Sequence, residues 1–474
     1  MPRLRKALAL ALYLTVACAA QTPGKEELSS VFAGFQRSDT PGCAVGVESP
    51  GVDRWSAAWG MADLEHNVPN TSSTVFEAGS VSKQFTAAAA LLLVERGQIS
   101  LEDDIRKYFP ELPVYEKPIT VRELMNHTSG LRDWGEIEAV AGWPRTTREY
   151  THAYVLEILS RQKALNYTPG TAWSYTNSGY NLLAMLIERV TKSSLQVFSR
   201  KELFEPLGMK DTQWRDHFRK IVPNRAIAYA THEGGWEQMM PFEDVYGNGG
   251  LLTTVDDLLK WNRNMTTGAV HPWVFQTMQV ESTLSDGKHT GYGLGLFLQD
   301  FQGLSEVNHA GATAGYRAWL GRIPAKGFSI AVLCNASSAD TTDLAHRVAR
   351  IYLHLPDAAP RVAVADKHVA GAVGDERVPS SRPGNLSEFE GVYTSIEAET
   401  TFTVVAEGGH LKMRRQPAAD FELTPTRADA FDATVGHIRF LRDGGGTIVA
   451  LSLSGPRVWD LRFQREQSRP VRKP

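Results

Sequence analysis

A chain of 474 residues has room for two packed units, and a composition of 42% hydrophobic and 22% charged residues is that of an ordinary globular protein. The formal net charge is −3 and no basic stretch is longer than the last few residues, so nucleic-acid binding has little electrostatic support. The sequence contains neither a Cys-x-x-Cys pair nor a His-Glu-x-x-His run, which argues against a zinc site.

The amino terminus has the layout of an export signal. Arg3, Arg5 and Lys6 precede an apolar segment from Ala7 to Ala17, and the small residues Cys18, Ala19 and Ala20 follow. That segment is too short for a permanent membrane span. Residues 1–20 are therefore expected to be removed near Ala20, giving a periplasmic or secreted protein. A rival reading makes Cys18 a lipid-attachment site, because "LTVAC" loosely resembles the box of bacterial lipoproteins. Membrane association is expected only in that case.

A first unit is predicted over residues 25–355. Leu28, Val31, Phe32 and Phe35 recur at helical spacing before "PGCAVGV", a strand-like run. The stretch from Val81 to Arg96 is rich in Ala and Leu, lacks Pro and stops at Gly97, which predicts a buried helix. Ser80 and Lys83 stand three apart at its amino end. Residues i and i+3 share a helix face, so hydroxyl and amine fall within hydrogen-bond reach. The unpaired N–H groups there suit an anion forming on a substrate. A lysine that is desolvated and neutral accepts a proton, and one that is charged lowers the proton affinity of a neighbouring base.

Ser160 and Lys163 repeat the spacing, but they sit among polar residues before Asn166 and Pro169, with no long apolar helix behind them. Farther on, Tyr175 and Asn177 occupy a turn-like segment directly before a helix with Leu182, Met185, Leu186 and Val190 on one face. His309, Ala310 and Gly311 are placed at the start of a strand, where a glycine lets a substrate approach the backbone. "GYRAWLGRIP" and "FSIAVLCN" read as further strands, followed by a helix carrying Leu344, Val348, Ile351 and Leu355. The unit should thus be α+β, with terminal helices on a sheet built from both of its ends and a helical insertion between. Cys43 and Cys334 lie in two of its strand-like runs, as buried thiols or as one disulfide.

Residues 356–384, rich in Pro, Ala, Asp and Ser, read as a linker. Over 385–466, short alternating runs (Leu411 and Met413, Ile438 and Phe440, Ile448 to Leu453, Val458 to Phe463) are punctuated by glycines and by Gly455 with Pro456. This predicts an antiparallel β-barrel, followed by a short tail over 467–474.

Three motifs in order, SVSK at 80–83, YTN at 175–177 and HAG at 309–311, carry a resemblance. Supporting phrases are "NHTSGL" at 126–131, "PLGM" at 206–209 and "GNGGLLTT" at 247–254. Residues 25–355 resemble the serine β-lactamase and penicillin-binding-protein superfamily in its class C β-lactamase, D-aminopeptidase and esterase branch. The tail is similar to the lipocalin-like barrel that follows some serine peptidases of this branch. The resemblance implies a β-lactamase/transpeptidase-like sheet flanked by helices with a helical subdomain. It also implies an acyl-enzyme on Ser80, proton movement by Lys83 and Tyr175, and substrate orientation by Asn177, with His309 counted among the catalytic residues and Gly311 among those that bind substrate. The N–H groups of Ser80 and Ala312 would form an oxyanion hole, with no metal or organic cofactor. The expected partner is a small-molecule or short-peptide substrate.

The third motif departs from class C β-lactamases, which carry Lys-Thr-Gly there. His309 exchanges a permanent charge for one that ordinarily titrates near pH 6.5, and Ala310 lacks a hydroxyl donor. This favours a peptidase or esterase over a β-lactamase, with Arg317 as a substitute anion binder. His127 is expected to shape a loop. A weakly catalytic binder or sensor of cell-wall peptides or β-lactams would carry the same motifs, and the oligomeric state is not legible.

Overall fold

A computed structural model describes residues 24–357 and 385–466. The expectations for the signal segment, Cys18, nearly all of the linker and the tail fall outside those residues. Among the described residues, no helix is long and apolar enough to cross a membrane.

Six antiparallel strands form the central sheet: β1 (Cys43–Ser49), β2 (Val52–Trp59), β3 (Phe297–Phe301), β4 (Leu304–Thr313), β5 (Tyr316–Ile323) and β6 (Phe328–Cys334), in the order β3-β4-β5-β6-β1-β2. The first strand of the unit thus pairs with the last, as the sequence predicts, with Cys43 opposite Cys334 in register and the two joined as a disulfide. Of the two states left open for these cysteines, the structure contains the bridge.

Alternation divides the sheet into two faces. Cys43, Val45 and Val47 of β1 and Phe328, Ile330 and Val332 of β6 pack in one cluster with Leu28, Val31 and Phe32 near the amino end and with Leu344 and Val348 near the carboxyl end. These flank the sheet as α1 (Lys25–Val31) and α6 (Thr341–Leu353). On the other face, Ala44, Ala331 and Leu333 belong to the large core that holds the helical insertion. Its members include α2 (Ser82–Glu95), α3 (Trp134–Ala141), α4 (Asn177–Thr191) and α5 (Val255–Thr267). Every residue of α2 from Ser82 to Leu93 is buried, the condition for a helix apolar on all sides. Gly97 follows with φ +66°, the left-handed stop predicted for it.

The carboxyl-terminal strands close into an eight-stranded antiparallel barrel running from Gly391–Ser395 to Leu461–Arg465. Phe389, Tyr393, Phe402, Phe440 and Phe463 fill it. One predicted strand is shorter than expected. The run from Val458 to Phe463 enters the sheet only at Leu461, because residues 455–460 leave the barrel and dock on the α/β body.

Arg132, 1% exposed, anchors that docking. Its guanidinium donates to the carbonyls of Trp459 (3.2 Å) and Asp460 (3.0 Å) and pairs with Glu397 of the barrel (3.2 Å). Trp459 N–H donates to Asn166 Oδ1 (2.8 Å), and its ring packs on Tyr167. Buried charged groups held by several partners fix geometry more than they add stability.

Candidate active site

A one-turn 3-10 helix, Gly79–Val81, sets Ser80 at the entrance to α2. Ser82 holds the turn, donating to Gly79 O (2.5 Å) and accepting from Leu251 N–H (3.1 Å). Gly79 is required here: it has φ +50°, and a Cβ would lie 2.6 Å from Ala312 N. From the sheet side, Gly311 presses on the same turn, where a Cβ would lie 2.0 Å from Ala78 O.

The β4 register orients the backbone beside the turn. Thr313 and Tyr316 flank the two-residue turn Ala314–Gly315, so Ala312 opposite Arg317 is a non-hydrogen-bonded pair. Ala312 N–H therefore points away from β5. It faces an edge that β3 leaves bare, since the β3 pairing ends at Asn308. The N–H of Ser80 lies at the helix start one residue past Gly79, whose Cβ would stand 2.6 Å from Ala312 N, so the two donors belong to adjoining backbone.

Lys83 is fully buried, and its Nζ lies 3.2 Å from Ser80 Oγ, 3.0 Å from Asn177 Oδ1 and 2.8 Å from Asn248 O. Burial, then Arg457 and Arg145, hold its pKa well below the usual lysine value, against an opposing pull from Asp133. A neutral amine has two N–H groups and one lone pair. In that form Asn177 Oδ1 and Asn248 O, which are acceptors, would take the two hydrogens and leave the lone pair for the Ser80 hydroxyl proton.

Tyr175 stands beside this pair, with Lys83 Nζ 4.7 Å from its ring centroid. Its buried hydroxyl makes no hydrogen bond of normal length among the described residues. Burial drives its pKa far up, while the neighbouring Ser80 side chain and the Arg457 charge pull it down. Burial thus pulls both groups toward their uncharged forms, the first of the two states the sequence leaves open for Lys83.

Asn177 opens α4. Its N–H donates to Asp133 Oδ2 (2.7 Å), while Asp133 Oδ1 caps α3 through the N–H groups of Gly135 (3.0 Å) and Glu136 (3.2 Å). One carboxylate thus fixes two helix starts. Asn248 is steadied through Asn181 Nδ2, which donates to its Oδ1 (2.7 Å). His127, at φ +63°, accepts from Thr176 N–H (3.3 Å) through Nδ1, and its carbonyl accepts from Ser174 N–H (3.1 Å), so it shapes the segment that presents Tyr175.

Two expectations for the third motif are corrected. His309 to Gly311 fall in the second half of β4, not at its start. His309 is buried, with Nδ1 2.6 Å from Ala310 O and Nε2 3.2 Å from Tyr292 Oη, and its ring centroid is 6.1 Å from that of Tyr175. Burial, with Lys83 as a smaller cause, lowers its pKa to about 3, so it brings no positive charge to the cleft at neutral pH. Arg317 is also committed, its Nη1 donating to the carbonyls of Ala314 (2.9 Å) and Tyr316 (2.7 Å).

The second Ser-x-x-Lys pair lies elsewhere. Ser160 Oγ donates to Glu157 O (2.7 Å) within its own helix, and Lys163 N–H donates to Glu397 of the barrel. Asp63, Glu65 and His66 bring three ligating atoms within 4.8 Å of one another at a surface turn, where His66 Nδ1 already pairs with Asp63 (2.7 Å).

Sequence reasoning missed Arg457, in the barrel loop that docks on the body. Its guanidinium carbon lies 4.9 Å from the Tyr175 ring centroid. Its backbone is clamped, with N–H donating to Glu136 Oε2 (2.8 Å) and the carbonyl accepting from Asn166 Nδ2 (2.9 Å) and Asp133 N–H (3.2 Å). Gly455 and Pro456 mark a turn there, but nothing local says where that turn lands.

Residues 28–353 match the family described as Beta-lactamase. The chain belongs to that family. It is a serine hydrolase of the β-lactamase-related type, built on the β-lactamase/transpeptidase-like fold with a barrel appended. A D-aminopeptidase of Brucella anthropi is 27% identical, the match covering 91% of this chain and 89% of the relative. Among solved structures, the octameric penicillin-binding protein homologue from Pyrococcus abyssi superposes with a TM-score of 0.58 at 22% identity, over 92% of this chain and 97% of its own. The D-amino acid amidase from Ochrobactrum anthropi SV3 gives a TM-score of 0.59 at 21% identity, over 69% of this chain and 99% of its own. Both share the fold.

Proposed function

We propose that the protein is an exported hydrolase that cleaves small amides or esters, such as D-amino-acid amides or short D-amino-acid peptides, through an acyl-enzyme on Ser80. The observation that carries this reading is Lys83 Nζ, fully buried, its pKa held well below the usual lysine value, 3.2 Å from Ser80 Oγ and within hydrogen-bond distance of Asn177 Oδ1 and Asn248 O. Ser80 Oγ attacks the substrate carbonyl carbon as its proton passes to Lys83 Nζ. The carbonyl electron pair becomes an oxyanion received by the N–H groups of Ser80 and Ala312. The C–N or C–O bond then breaks, and the proton reaches the leaving group from Lys83 through the Tyr175 hydroxyl. A water attacks the ester, Lys83 takes its proton, and Ser80 departs reprotonated.

Asn177 orients the substrate through its side-chain amide, and Gly311 admits the substrate beside the backbone of β4. His309 supports Tyr292 and the end of β4, a positioning role. The Cys43–Cys334 bridge suits an oxidising compartment and agrees with export. A D-aminopeptidase relative matched along most of the chain favours D-configured substrates over β-lactams, as does the neutral His309 where class C β-lactamases carry lysine.

A hydrolysis panel of D-amino-acid amides, short-chain p-nitrophenyl esters and a chromogenic cephalosporin tests this reading. Repeated turnover of an amide or ester is expected, with the cephalosporin slower. A burst of one product per enzyme without later release would replace it with the sensor reading, and a faster cephalosporin with a β-lactamase.

A further inference from the structure

Amide and ester hydrolysis leaves open what holds the substrate in place, and the usual cation of the third motif is missing. His309 is neutral and tied to Tyr292, and Arg317 is tied to two carbonyls of its own hairpin. Arg457 is different. It is half-buried, and among the described residues its guanidinium has neither an ion pair nor a hydrogen bond, although it carries five donors in a planar fork. The carboxylates nearest its backbone are occupied. Asp133 serves the N–H groups of Gly135, Glu136 and Asn177, and Glu136 accepts the N–H of Arg457 itself. Glu136, pushed up to about 7 by burial and by Asp133, also carries a reduced negative charge at neutral pH.

A guanidinium poised without an anion is a ready bidentate receptor for a carboxylate. Its position says where that carboxylate belongs. It lies over the Tyr175 ring, and in the acyl-enzyme cycle the Tyr175 hydroxyl faces the group that leaves. We infer that Arg457, supplied by the barrel, binds the carboxylate of the leaving group, so that favoured substrates release a fragment ending in a free carboxylate, as a short peptide does when its last residue departs. The inference rests on the acyl-enzyme reading above. It also gives the barrel a task in substrate choice, because its loop is held to the body by backbone contacts that do not involve the Arg457 side chain.

The test compares a short D-amino-acid peptide with a free carboxyl terminus against the same peptide as its carboxamide, in full-length wild type, Arg457→Gln and Arg457→Lys. In wild type, kcat/KM is expected to favour the acid by roughly 10- to 100-fold, the range for a charged hydrogen-bonded pair. Arg457→Gln should bring the ratio close to one, Arg457→Lys should keep part of it, and added salt should reduce it in wild type. A ratio unchanged in Arg457→Gln overturns the inference, while hydrolysis of p-nitrophenyl esters by wild type would leave the acyl-enzyme reading intact. If neither peptide is turned over, calorimetric binding of N-acetyl-D-alanine and its carboxamide decides. Acid affinity lost in Arg457→Gln supports the site, and equal affinity for both compounds in wild type refutes it.

Discussion

Replacing Lys83 with methionine is expected to lower kcat on an amide or ester by at least about 10³-fold, within the range for loss of a positioned base, while the protein still folds. Two opposed effects act on stability. The folded state holds Lys83 below its ordinary pKa, so the unfolded chain binds the proton more tightly, and stability is lost as pH falls from the unfolded value toward the folded one. Methionine removes that penalty. It also strips donors from Asn177 Oδ1 and Asn248 O, at about 1–3 kcal/mol for each unsatisfied group. The two effects oppose each other, so thermal stability should change little beside the collapse of turnover. The pH profile adds a signature. In wild type, kcat/KM rises with pH as Lys83 loses its proton, and the variant lacks that limb. A variant retaining the limb would place the base elsewhere.

The second large effect is expected at Gly311→Ala, a change of one methyl group. The new Cβ would lie 2.0 Å from Ala78 O and 3.2 Å from the Ala318 side chain. Strand β4 must then move off the 78–81 turn and carry Ala312 N–H away from Ser80. Loss of one oxyanion donor lowers kcat by roughly 10²–10³-fold, and forced overpacking costs about 1–3 kcal/mol of stability. Ester turnover and thermal unfolding measured together check both. Wild-type kcat in a folded Gly311→Ala protein would show that the contact between β4 and the turn does not position the donor.

The legible parts of this site are those written in local pattern. Helix α2, the Tyr175–Asn177 turn before α4 and the sheet closed by β1 and β6 follow from apolar periodicity and from the stop at Gly97. The start of β4 was hidden because its first half does not alternate cleanly. Glu306 and Asn308 are both buried there, Glu306 beside His346 (3.1 Å), and such pairs are invisible before the chain folds. The protonation states of Lys83, Tyr175 and His309 were not legible for one reason: burial is the largest influence on all three, and burial is a tertiary property. The cysteine pairing became definite once β1 and β6 aligned in register. Arg457 lay beyond sequence reasoning altogether, since its loop reads as a turn between barrel strands and acquires meaning only where Asp133, Glu136 and Asn166 receive it.

The central claim is that Ser80 is the atom that becomes acylated. Intact-mass spectrometry after reaction with a fluorophosphonate probe, followed by peptide mapping, tests it most directly. One adduct per chain on the peptide containing Ser80, absent from Ser80→Ala, is the predicted result. Labelling of Ser160 or another residue, or steady ester hydrolysis by Ser80→Ala at the wild-type rate, would contradict it.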